Sequence, residues 1–210
     1  METHINVFKL LNLKEVENLR SLRETLRRED AGPIIRRFFI NTLFDSTFML
    51  LGIVVGAAFA ADASLGVVMV TMVTSSLALG ISTGVSVYEA ESLERERKIS
   101  ELERALFRDL SGTTIEKAAR SITILATLIN FLTPLFSCAV TISPFVLVAL
   151  QVLETNLASW FSVALALSIL FGAGVSLGRL GKKNPWMKGL RMVSFGLLAF
   201  IIGFLLDSLI

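Results

Sequence analysis

From residue 34 onward the chain alternates between long apolar runs and short charged blocks. Runs at about 34–61, 65–88, 121–143, 157–178 and 189–210 each reach the roughly 20 residues that a helix needs to cross a bilayer. Residues 121–178 form one apolar region of 58 residues interrupted only by Glu154, so the pattern predicts two crossings there. The turn between them falls around 144–156. The expected fold is an all-α membrane protein with five transmembrane helices per subunit, occupying 32–210. Residues 1–31 read differently. Val16, Leu19, Leu22 and Leu26 recur at helical spacing among charges and predict an amphipathic cytoplasmic helix. Gly32-Pro33 ends it and starts the first span. The arginines follow the first leucines rather than precede them, which is not the order of a signal peptide.

Charge sets the orientation. The 20 Lys and Arg residues fall in three blocks: eight from Lys9 to Arg37, seven from Arg95 to Arg120 and five from Arg179 to Arg191. None lies between Arg37 and Arg95, between Arg120 and Arg179, or after Arg191. Five crossings place all three blocks on one side, and the positive-inside rule makes that side cytoplasmic. A sixth crossing would strand the last block on the other face. The N-terminus is therefore expected inside and the C-terminus outside. The outer segments then carry Asp62, Glu154 and Asp207 and no basic residue.

The block between the second and third spans predicts a short cytoplasmic helical hairpin over 89–120, turning near Ser111-Gly112. Its first arm carries Glu89, Glu91, Glu94, Glu96, Glu101 and Glu103. Glu89, Glu96 and Glu103 line one stripe at seven-residue spacing, and Glu94 and Glu101 line a second. Ile99, Leu102, Leu106 and Leu110 make an apolar stripe that packs against another surface. Pairs such as Glu94–Lys98 and Arg97–Glu101 also fit a solvated, ion-paired face. Glu89 stands apart, because it marks the mouth of the second span, where an acid concentrates cations.

Composition narrows the chemistry. The chain is 53% hydrophobic with one cysteine, Cys138, and one histidine, His4. That excludes an internal disulfide, a Cys-pair metal site and a Ser/His/Asp catalytic set. No Gly-rich phosphate loop is present, so neither an enzyme nor a resident cofactor is expected. The basic blocks are interleaved with Glu and lack aromatic partners, which argues against nucleic acid. Attention falls on Asp45, eight residues beyond Arg37 and so roughly 12 Å deeper along a helix. A carboxylate there is costly unless it meets a cavity, a cation or a partner. The readings are a transport residue for which protons and cations compete, or a protonated structural hydrogen-bonder. Met49 lies one turn on, and Met69 and Met72 form an i,i+3 pair; thioethers serve as soft metal ligands or as core fillers. Small residues four apart, Gly52/Gly56, Gly80/Gly84 and Gly174/Gly178, permit close helix approach within or between subunits.

Four stretches resemble the vacuolar iron transporter (VIT) family in a short prokaryotic form. Phe44-Asp45-Ser46 followed by Leu51-Gly52-Ile53-Val54-Val55-Gly56-Ala57 resembles its first span. Gly84-Val85-Ser86-Val87-Tyr88 and the acidic helix resemble the end of its second. Thr133-Pro134 and Pro144 resemble its third, and Lys188-Gly189-Leu190-Arg191-Met192 through Gly196 and Gly203 its last. The resemblance implies a homodimer in the cell membrane that exports Fe²⁺ or Mn²⁺ in exchange for protons, along a path between the first two spans of the subunits. It maps the family's membrane Asp onto Asp45 and its acidic extension onto Glu89, Glu91, Glu94 and Glu96. Met49, Met72 and Thr83 are then candidates for the path. Two departures stand out. Ser82-Thr83-Gly84 replaces the family's usual Gly-Glu, and the 89–120 block is too short for a full three-helix domain. A non-transporting membrane adaptor and a transporter of another cation are the alternatives.

Overall fold

The computed structural model describes residues 31–58, 64–107, 109–181 and 184–207. Five helices account for almost all of them: α1 Ala31–Ile53, α2 Leu65–Leu106, α3 Thr114–Ala149, α4 Thr155–Leu180 and α5 Pro185–Asp207. A π-helical segment, Val54–Ala58, follows α1. No strand occurs among the described residues. All five helices are long and apolar enough to cross a membrane. The amphipathic segment expected before Gly32 and the loop residue Asp62 lie outside the described residues.

The helix limits follow local chemistry. Pro33 sits in the first turn of α1, where its missing N–H has no intrahelical partner to lose. α2 runs unbroken for 42 residues from apolar Leu65 into the charged stretch ending at Leu106. α3 opens with a capping box: Glu116 N–H faces the Thr113 hydroxyl at 3.5 Å, and the Glu116 carboxylate accepts from Gly112 N–H at 2.6 Å. Gly112 has a φ of +72°, a left-handed conformation that a side chain would strain.

The expected turn at 144–156 is shorter in the structure, because α3 continues through both Pro134 and Pro144 to Ala149. A proline deprives the carbonyl four residues earlier of its donor. The Ser143 hydroxyl supplies one to Val140 O at 2.8 Å. Thr83 Oγ1, on α2, comes within 3.2 Å of Asn130 O, the carbonyl to which Pro134 has no N–H to donate. Hydroxyls that re-satisfy such carbonyls are what let proline persist in apolar helices. α3 then ends in a Schellman-type cap, with Val152 N–H on Leu147 O at 3.0 Å and Gln151 at a φ of +58°.

The chain divides into two compact units. The larger contains, among its described residues, 38–58, 64–85, 128–181 and 184–207. Its core gathers Leu50, Leu51, Val68, Met72, Cys138 and Phe145 from the first three helices and Val54 from the π-helical segment, with Ala158, Val163 and Ala166 from α4. Within it α4 and α5 approach very closely: a Cβ at Gly174 would lie 2.8 Å from Lys188 O, and one at Gly178 would lie 2.6 Å from Pro185 Cα. Trp160 on α4 packs against Phe200 on α5, with ring centroids 5.8 Å apart. The smaller unit contains, among its described residues, 31–37 and 86–127. There Leu110 and Ile122 are buried, and Leu110 N–H donates to Glu103 at 2.9 Å.

Candidate functional site

Asp45 occupies the outward side of α1. Thr42, Leu43, Ser46, Thr47 and Leu50 are buried, whereas Asn41, Asp45, Gly52 and Gly56 are exposed. At 100° per residue those four positions fall within a stripe about 60° wide. Cβ atoms built at Gly52 and Gly56 meet nothing within 4 Å, so this face is smooth as well as open. Met49 is half-buried beside it.

The other candidates for the path point elsewhere. Met72 is fully enclosed in the apolar core, and Met69 packs against the same cluster. The Thr83 hydroxyl is occupied by carbonyls: Leu79 O at 2.8 Å, Gly80 O at 3.3 Å and Asn130 O at 3.2 Å. Asp45 and Met72 therefore do not share a surface within one subunit. Next to Thr83, a Cβ at Gly80 would lie 2.7 Å from Phe131 O, so α2 and α3 meet almost backbone to backbone.

What does converge is a seam of small polar side chains along α3. Thr42 donates to the Asn130 side-chain oxygen. Ser46 donates to Ser137 Oγ at 2.9 Å, and Ser162 donates to Thr141 O at 2.7 Å. Asn130 thus faces α1 through its side chain and α2 through its carbonyl. Ser76 Oγ is buried, and the Cys138 thiol, a weak partner, lies beside it. This seam is absent from the reading of the sequence. A lone Asn inside an apolar run was the available signal, since such a side chain in a membrane-type helix has to find a partner.

The acidic residues of α2 separate into two groups. Glu91 is buried and pairs with Arg95 at 3.6 Å. Glu94 pairs with Lys98 at 3.3 Å, and Glu101 with Arg97 at 3.1 Å. Glu89 and Glu96 are exposed and form no ion pair among the described residues. No three His, Cys, Asp or Glu side chains among the described residues are grouped to hold a metal ion. A cleft of about 270 Å³ does form beside this arm, between one face of α2, including Tyr88, Ser92 and Glu96, and the first turns of α3.

Taken together, these features define a multi-helix chain of membrane type with a carboxylate, Asp45, exposed on the apolar helix α1. No protein-family model matches it. The chain is similar to an uncharacterized protein of Methanocaldococcus jannaschii, 27% identical over 199 residues that cover 93% of this chain and 98% of the relative. The relative's name carries no activity.

Proposed function

We propose that this protein is a proton-coupled exporter of a divalent metal ion, Fe²⁺ or Mn²⁺, that acts as a homodimer and is related in kind to the vacuolar iron transporters. One observation carries the reading: Asp45 lies mid-helix on the open side of α1, with no basic residue between Arg37 and Arg95 to neutralise it. A carboxylate turned toward hydrocarbon is costly. A second copy covering the Asn41–Asp45–Gly52–Gly56 stripe removes that cost, and the two glycines permit close approach. An isologous contact brings the same patch of each subunit together, so it sets two Asp45 carboxylates near one axis. Like charges at close range cannot both stay ionised without a counter-charge. A divalent cation between them, or protons on them, supplies it. That competition is the coupling. Hard carboxylate ligands suit Mn²⁺, and Met49 beside them shifts preference toward later metals.

In this reading the N-terminus and the 89–120 hairpin are cytoplasmic and the C-terminus is outside. Glu91, Glu94 and Glu101 are neutralised by neighbouring cations, so gathering metal at the inner mouth falls to Glu89. Met72 and Thr83 act in packing rather than as ligands. The test is Mn²⁺ or Fe²⁺ flux into proteoliposomes under a pH gradient, with wild type active and Asp45→Asn silent. Unchanged flux in Asp45→Asn would end this proposal. A second reading, a non-transporting adaptor, draws support from the apolar edge of the hairpin, where Leu102 and Leu106 are exposed and Phe107 is 97% exposed. It predicts neither metal binding nor flux in wild-type protein.

A further inference from the structure

The cleft beside α2 carries opposite charges that do not meet. Tyr88, Ser92, Arg95 and Glu96 line it from one face of α2, and Glu116 and Arg120 line it from α3. Two of the four charges are already committed. Arg95 pairs with Glu91, both with side chains nearly buried. Glu116 is pinned to Gly112 N–H as the helix cap. The remaining two, Glu96 and Arg120, come from different helices, are exposed, and are joined by no ion pair within 4.0 Å. Tyr88 and Ser92, each with a hydroxyl, line the same cleft.

A ligand that fits such a cleft carries both signs. A simple anion would meet the Glu96 carboxylate, and a metal cation would meet Arg95 and Arg120. A phosphate joined to a primary amine satisfies both ends. Arg120 grips phosphate oxygens through its planar fork, with hydroxyl donors beside it. Glu96 accepts from the ammonium group. The volume, about 270 Å³, is at the lower limit for small-ligand pockets and suits a headgroup rather than a nucleotide. The cleft also begins at Tyr88, where the apolar part of α2 gives way to charge, and aromatic residues favour that headgroup level.

We infer that this cleft binds one phosphoethanolamine-type group, presented by a surrounding lipid or free in solution. The inference uses none of the metal-transport argument and stands or falls apart from it. The experiment transfers the full-length protein from nanodiscs holding equal amounts of ethanolamine, choline and glycerol phospholipids into detergent. Retained lipid is then counted by native mass spectrometry. Wild type is expected to retain the ethanolamine lipid. Glu96→Gln should lose about tenfold of the preference for primary amine over choline, the scale of one charge-assisted hydrogen bond. Arg120→Gln should lower retention of all three. Both positions are exposed, so folding is not at risk. Glycerophosphoethanolamine added as competitor separates the sources: displacement at concentrations matching the lipid assigns a soluble ligand of the same chemistry, and failure to displace assigns the lipid. Equal retention by wild type and both variants, or strongest retention of the glycerol lipid, would overturn the inference.

Discussion

The Thr42 hydroxyl donates to the side-chain oxygen of Asn130, tying α1 to α3 inside the apolar core. Three residues further along α1 stands Asp45, about 60° around the helix from Thr42 and exposed. The bond therefore sets the rotation of α1 about its axis, and with it the direction in which the carboxylate faces. Replacing Thr42 by Val keeps the shape and deletes the donor. Such interhelical bonds are worth about 0.6 kcal/mol on average and up to about 1.7. A loss within that range, measured by reversible unfolding in detergent, is expected.

The Thr83–Pro134 relationship calls for a double-mutant cycle. Thr83→Val removes a hydroxyl within 3.2 Å of Asn130 O, the carbonyl to which Pro134 offers no N–H. In the wild-type background it should cost about 1–2 kcal/mol, because an acceptor is left less satisfied in a dry interior. In Pro134→Ala the helix regains its own N–H donor to Asn130 O, and the cost of Thr83→Val should shrink. Additive single and double mutants would show that the hydroxyl serves only its own helix.

The glycine pairs divide by environment. Gly80→Ala, Gly174→Ala and Gly178→Ala push a methyl against backbone atoms and should each destabilise by about 1–3 kcal/mol. Gly52→Ala and Gly56→Ala meet nothing within 4 Å in the subunit and should leave its fold intact. Bulkier Gly52→Leu should weaken self-association without unfolding the subunit. Cross-linking in membranes, with unfolding measured in parallel, separates the two effects.

Burial also separates the methionines. Met72→Leu is nearly volume-conserving and should cost less than about 1.5 kcal/mol while sparing metal flux, since Met72 is enclosed in the core. Met49→Leu, beside Asp45, should change the order of preference among Mn²⁺ and softer metals. Transport rates for a metal series in the two variants check both expectations.

The turn at 109–112 has its own pH dependence. The Ser111 hydroxyl, and then the Ser111 N–H, donate to Asp109 and hold its carboxyl below the ordinary value. A carboxylate lowered in the folded state contributes order that is fully present above its unfolded value and lost as pH falls through the lower folded value. Amide protection at Ser111 should hold constant through neutral pH and decline only on strong acidification. Ser111→Ala should move that decline to higher pH, and Asp109→Asn should abolish it.

The helices were legible in the sequence because length and hydrophobicity decide them locally. Runs of some 20 apolar residues broken by charge point to five helices, and the ion pairs Glu94–Lys98 and Arg97–Glu101 follow directly from helical spacing. Which way each helix faces was not legible. A helix that is apolar all round has no periodic stripe from which to read a buried side. Only packing in three dimensions set Met72 inward and Asp45 outward, and turned Thr83 toward the Asn130 carbonyl, one turn before Pro134. The same packing drew α2 against α3 at Gly80 and left Gly52 and Gly56 bare, though the sequence spacing of the pairs is identical. Those choices belong to tertiary structure because they depend on which backbones meet, and neither composition nor period encodes that.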